Sequence, residues 1–162
     1  QARQPAPLSD RDAADADTCL FDDMAMAPEI VAACTRLLEG TAITEKVDLA
    51  EVLVSRAEAL IELKQGDKAM ADVEKALQAD PEHPEARFIR GGYYIDAKKY
   101  DLAIQDFEVT LKADPMDALA LFDRGIAKFR MGDKRGADAD FAAAKAIEPT
   151  IMEDQAQLGI KP

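Results

Sequence analysis

A chain of stacked α-helical hairpins is the fold class that this sequence predicts, and three observations carry it. An acid followed by proline recurs with a constant step of 34 residues, at Asp80-Pro81, Asp114-Pro115 and Glu148-Pro149. Eight glycines and eight prolines punctuate 162 residues, which leaves few places for turns and favours long regular elements. Between those stops apolar residues recur at three- and four-residue intervals, as in Ala103, Phe107 and Leu111, the period of a helix with one buried face. The composition, 48% hydrophobic and 32% charged, is that of a folded globular chain rather than a disordered one.

Residues 1–18 contain Pro5, Pro7 and a run of Ala and Asp, and read as an acidic arm. Residues 19–49 read as an N-terminal cap. Its short apolar piece, Leu20 to Met26, leads to a helix over about 28–39 that Pro28 opens and Gly40 ends. Ile30, Val31, Cys34, Leu37 and Leu38 form the apolar face of that helix, which is predicted to cover Leu53 and Leu60. Three units follow, 50–83, 84–117 and 118–151, with helices expected at 45–64, 67–79, 84–97, 100–113, 118–131 and 134–147. Residues 152–162 are a short C-terminal cap, in which Leu158-Gly159 restart the pattern, because a terminal repeat needs a covering element.

The columns created by the 34-step alignment have physical reasons. Position eight holds Ala57, Gly91 and Gly125 and position twenty holds Ala69, Ala103 and Ala137, so the two helices of each hairpin can approach closely. Position twenty-four holds Val73, Phe107 and Phe141, which fill the space beside them. The proline fixes its own φ and pushes the acid before it out of the helical region, ending the second helix. Arg56, Arg90 and Arg124 recur at position seven together with Asp72, Asp106 and Asp140 at position twenty-three. An unpaired buried charge is costly, so the pairs Arg56–Asp72, Arg90–Asp106 and Arg124–Asp140 are expected to clip the helices of each hairpin together.

In these columns residues 50–151 resemble the tetratricopeptide repeat (TPR) family, a 34-residue helix-turn-helix unit. The chain departs from that pattern at position four, where Leu53, Arg87 and Leu121 replace an aromatic residue, and at position eleven, where only Tyr94 keeps the tyrosine and Leu60 and Lys128 replace it. The resemblance implies a solenoid of three full repeats between an N-terminal capping helix and a short C-terminal one. The segment ADTC…PEIVAACTRLLEG ahead of the repeats resembles exported bacterial TPR proteins in which two cysteines brace the N-terminal cap. For Cys19 and Cys34 that resemblance implies a disulfide, worth roughly 3 kcal/mol in the chain-entropy model; two reduced, packed thiols are the other reading. A bridge implies an oxidising compartment, periplasmic or extracellular, and a chain that opens with Gln1 fits a removed signal peptide or a trimmed chain equally.

The same resemblance implies a concave groove lined by positions two, five, nine, twelve and thirteen of each first helix. The first unit places Glu51, Val54, Glu58, Ile61 and Glu62 there. The second offers Glu85, Phe88, Gly92, Ile95 and Asp96, and the third Leu119, Phe122, Ile126, Phe129 and Arg130. Such a groove is acidic on its N-terminal side and apolar toward its C-terminal side, suited to a basic and hydrophobic peptide or a partner helix. A C-terminal cap lying over Phe122, Ile126 and Phe129 would instead make them core. The family's clamp for a chaperone's C-terminal carboxylate is not expected, because its positions hold Val54, Glu58, Ile89, Leu119 and Asp123, none of them cationic.

Charge and inventory narrow the function. With 20 basic against 32 acidic residues the net charge is −12, which repels nucleic acid and anionic membrane surfaces and favours basic partners. One histidine, His83, two serines and two cysteines leave no nucleophile motif and no His-rich metal site, so no enzyme activity, cofactor or metal is expected. Asp10, Asp12, Asp15 and Asp17 lack the glycine and terminal glutamate of a calcium loop. Met24 and Met26 are read as packing rather than copper ligands, and His83 as a surface residue. The function expected is a non-catalytic interaction scaffold, with a permanently docked accessory subunit of a membrane or periplasmic complex as the alternative.

Overall fold

The structure, a computed structural model, describes residues 8–22, 24–40 and 48–157. Among them all regular structure is helical: α1 (Asp10–Leu20), α2 (Ala27–Glu39), α3 (Leu49–Glu62), α4 (Gly66–Ala79), α5 (Pro84–Asp96), α6 (Tyr100–Ala113), α7 (Ala118–Met131), α8 (Lys134–Ile147) and α9 (Ile151–Gln157). The chain forms two compact units, Gln1–Pro81 and Glu82–Pro162. Three sequence readings fall outside the described residues: the first seven residues of the arm, the start of the long first helix at 45–47, and Leu158-Gly159.

In the first unit α1 packs on α2 and α3, α2 on α3, and α3 on α4. Ser9 caps α1 by accepting a hydrogen bond from the Asp12 amide at 3.2 Å, and Asp10 and Asp12 place negative charge at the positive end of its dipole. Residues 10–18, read as arm, are therefore most of a helix that buries Asp15, Ala16 and Cys19. Composition misled here because an Ala/Asp-rich segment is weakly apolar, and what holds it is tertiary. Arg36 Nε and Nη2 grip the Asp15 carboxylate at 2.5–3.1 Å, and the hydrogen bond from Arg36 holds that carboxyl below its usual range despite desolvation. Cys19 and Cys34 form a disulfide with their Cα atoms 5.1 Å apart. Both are buried in a cluster with Ala16, Ala33, Leu37 and Val52, and Ser55 Oγ of α3 donates a hydrogen bond to the Cys19 carbonyl.

In the second unit α5 packs on α6, α6 on α7, α7 on α8, and α9 on α7 and α8. The acids before the prolines end α4, α6 and α8 in extended conformation, with ψ of 98°, 97° and 97° at Asp80, Asp114 and Glu148. The hairpin columns act by contact. A Cβ on Gly91 would stand 2.7 Å from the buried Phe107 ring, and one on Gly125 2.6 Å from the Phe141 ring. Position five adds a second ring in each hairpin: Phe88 lies 5.8 Å from Phe107 and Phe122 5.5 Å from Phe141, both tilted.

The turn between the helices of each hairpin closes the same way three times. Gln65, Lys99 and Asp133 amides donate to the Leu60, Tyr94 and Lys128 carbonyls, while Lys64, Lys98 and Gly132 amides donate to Ile61, Ile95 and Phe129. This is the Schellman pattern, and it needs a left-handed residue at its centre. Lys64, Lys98 and Gly132 take φ of 59°, 58° and 90°, so only the third turn has the residue that adopts this region without a Cβ penalty. Lys98→Gly is expected to stabilise the chain by about 0.5–1 kcal/mol, part of the relief being offset by a more flexible unfolded state. Urea denaturation checks it, and a loss of stability would contradict it.

Candidate functional site

Each recurring Arg–Asp pair is a bidentate clip between the first and second helix of its hairpin. Arg56 Nε and Nη2 donate to Asp72 at 2.7 and 2.8 Å, Arg90 to Asp106 at 2.7 and 2.8 Å, and Arg124 to Asp140 at 2.9 and 2.7 Å. The three carboxylates are buried, 1–5% exposed, so the clips are part of the core's polar scaffolding and not a surface for partners. Two further cations were not anticipated. Arg87 Nη1 reaches Asp106 at 2.7 Å and Lys128 Nζ reaches Asp140 at 2.8 Å. The signal was present, since Arg87 and Lys128 stand one helical turn from Arg90 and Arg124 on the same face. Burial works against the Asp140 charge, but hydrogen bonds from Arg124 and Lys128 prevail and hold its carboxyl below the usual range.

The residues assigned to the groove divide sharply by exposure. On α3, Glu51, Glu58, Ile61 and Glu62 are exposed along one stripe, whereas Val54 is buried at 3% because α1, α2 and α4 all pack on this helix. In the second unit Glu85, Asp96, Leu119, Phe129 and Arg130 are exposed. Phe122 and Ile126 are 1% and 3% exposed and belong to the core, as does Ile151 of α9, which joins their cluster. Phe88 and Ile95 are half-buried against the same cluster. Val54, Phe122 and Ile126 therefore are not available to a ligand; Leu111 of α6, Phe141 and Ala144 of α8 and Ile151 of α9 share the cluster that buries the last two. Phe129 stays outside that cover.

What remains on the second unit is two exposed apolar side chains near opposite ends of α7, Leu119 and Phe129. Asp123 of α7 is half-buried; burial first, then the charges of Asp117 and Asp96, push its carboxyl up to about 7. Folded, it keeps a proton that the unfolded chain has released between about pH 4 and 7, so stability falls as pH rises through that window. Asp123→Asn is expected to flatten this fall and to raise stability at pH 8 by about 1–3 kcal/mol, with little change at pH 4. Urea denaturation at the two pH values measures it; equal effects at both would contradict the account.

His83 is buried at 6%, not on the surface. It caps α5, its Nδ1 accepting from the Ala86 amide at 3.4 Å, a role that its place just before Pro84 makes legible in hindsight. Met24 and Met26 are 90% and 65% exposed rather than packed. Among the described residues no group of three or more His, Cys, Asp or Glu side chains could hold a metal ion, and no helix is long and apolar enough to cross a membrane.

Residues 50–83 match the family model of the tetratricopeptide repeat. No curated protein matches the chain by sequence. Solved structures share its fold. The first TPR of Spaghetti (RPAP3), bound to the HSP90 peptide SRMEEVD, is 24% identical with a TM-score of 0.60, covering 74% of this chain and 93% of that one. MamA from Desulfovibrio magneticus RS-1 is 20% identical with a TM-score of 0.70, over 94% of this chain and 84% of that one. YrrB, described as a TPR protein with an unusual peptide-binding site, is 20% identical with a TM-score of 0.61, over 83% and 66%.

Proposed function

We propose, for a chain that carries a tetratricopeptide repeat at 50–83 and the fold of tetratricopeptide proteins, a non-catalytic scaffold that binds a basic and hydrophobic segment of another protein on its first-helix faces. The observation that carries this reading is the exposure of Leu119 and Phe129 on α7, the helix that also carries Asp123, a half-buried carboxyl near enough to Asp117 and Asp96 to feel their charge. The exposed Glu51, Glu58 and Glu62 stripe on α3 supplies the same sign of charge in the first unit. RPAP3 and YrrB support the general role, since both are described with a peptide or a peptide-binding site. The chemistry differs from that of RPAP3's acidic peptide. None of Val54, Glu58, Ile89, Leu119 and Asp123 is cationic, so a C-terminal carboxylate finds no counter-charge there.

The compartment belongs to the same proposal. A buried disulfide that ties α1 to α2 supports a periplasmic or extracellular location, where such bonds persist. The test of the binding reading is a titration of the full chain with a labelled peptide alternating Lys and Leu. The wild type is expected to bind, and the double variant Glu58→Lys/Glu62→Lys and the single variant Asp123→Lys to bind several-fold more weakly. Unchanged affinity in both variants would overturn it.

A further inference from the structure

The elbow between α1 and α2 carries the most exposed large apolar side chains among the described residues of the first unit. Phe21, Met24 and Met26 are 72%, 90% and 65% exposed. The backbone that holds them out is fixed by hydrogen bonds. Phe21 ends α1 with its amide donating to the Asp17 carbonyl at 2.9 Å, and the Ala25 amide closes the turn on the Asp22 carbonyl at 3.1 Å. The Asp22 carboxylate accepts from the Met24 amide at 3.0 Å, and the Met26 amide donates to Glu29 Oε2 at 3.0 Å as α2 begins. The Cys19–Cys34 bridge ties together the two helices that the elbow joins. A turn held in this way presents its side chains with little backbone freedom left to lose on binding.

Phe21 also lines a cleft of about 450 Å³, together with Ala14, Asp17, Thr18 and Asp22. These residues follow one another at steps of three and four, so they share one face of α1 and its continuation into the turn. Ala14, Asp17, Phe21 and Asp22 are exposed and Thr18 is half-buried, so the lining itself is open to a ligand. An aromatic ring with a carboxylate on either side in this cleft suits a cationic side chain, which the ring face attracts and the carboxylates pair.

Charge selects the occupant of the surface. From Asp10 to Glu29 the sequence has seven acids and one arginine, half of the chain's net charge of −12. A second copy of this chain would bring the same charge against itself, and an anionic membrane surface would be repelled likewise. A protein surface that sets arginine or lysine around apolar side chains complements the elbow in both respects.

We infer that the α1–α2 elbow is a docking surface for a cationic amphipathic segment of a partner protein, its apolar face on Phe21, Met24 and Met26 and its cations on Asp17 and Asp22. The surface uses none of the residues of the first-helix faces, so either site can fail alone.

The experiment uses the full chain labelled with carbon-13 at the methyl groups of its six methionines, of which Met24 and Met26 report on the elbow. Two short helical peptides share a leucine stripe, one with Arg and the other with Glu at the flanking positions. The Arg peptide is expected to shift the Met24 and Met26 methyl resonances saturably, and the Glu peptide to leave them in place. Phe21→Ala/Asp17→Lys, at two exposed side chains, should weaken that response about tenfold, and Phe21→Ala alone should weaken it in the same direction. Glu58→Lys/Glu62→Lys should leave it within about twofold of wild type. The inference is overturned if the Arg peptide moves these two resonances no more than the Glu peptide does, or if the response survives both elbow variants. Shifts of the same resonances with protein concentration alone would also overturn it, since a second copy of this chain would then be the occupant.

Discussion

Phe107→Ala should lower the stability of the chain by about 3–5 kcal/mol, among the largest effects of any single substitution in it. Phe107 is fully buried, its ring is what a Cβ on Gly91 would strike at 2.7 Å, and it packs at a tilt against Phe88 with ring centroids 5.8 Å apart. Alanine removes the ring and leaves a cavity between α5 and α6 that two helices fixed by an Arg–Asp clip cannot collapse to fill. A partner substitution sharpens the test. Gly91→Ala in the wild type drives a methyl into the ring, opposing the roughly 1 kcal/mol that alanine gains over glycine in a helix; in the Phe107→Ala background the clash is gone and that gain should appear. Chemical denaturation of the four variants gives the coupling. Additive effects would mean that the glycine is not there to admit the ring.

Asp106→Leu is the second large effect, expected at about 3–5 kcal/mol. The carboxylate is 1% exposed and accepts from Arg90 Nε and Nη2 and from Arg87 Nη1, all at 2.7–2.8 Å. Removing it takes two charge-assisted hydrogen bonds from Arg90 and one from Arg87, side chains only 16% and 23% exposed. The double variant Asp106→Leu/Arg90→Leu should regain part of the loss, because the pair as a whole contributes less than the penalty of breaking it. Thermal unfolding would show this, and a double variant less stable than the single would contradict the account.

The hairpins were legible because the repeat writes packing into single columns. A small residue opposite a ring, an Arg opposite an Asp and a proline behind an acid are each local rules with one structural meaning. The observed boundaries of α4 through α8 lie within one residue of those the spacing predicts. What escaped is what no column repeats. α1 depends on a disulfide and the Asp15–Arg36 pair, both of them contacts across the chain that composition cannot register. The burial of Phe122 and Ile126 depends on residues of α6, α8 and α9 that gather over them, and Val54 is covered because α3 carries neighbours on three helices.

The binding reading stands or falls on whether the acids of the first-helix faces attract a cationic ligand. The most direct measurement is the affinity of the alternating Lys-Leu peptide for the full chain at low and at about 0.5 M salt, where the screening length drops to a few ångströms. An affinity that falls about tenfold or more on adding salt, and that falls further on replacing Asp123 by lysine, is the expected result. An affinity indifferent to both salt and Asp123 would leave only nonspecific apolar adhesion and would contradict it.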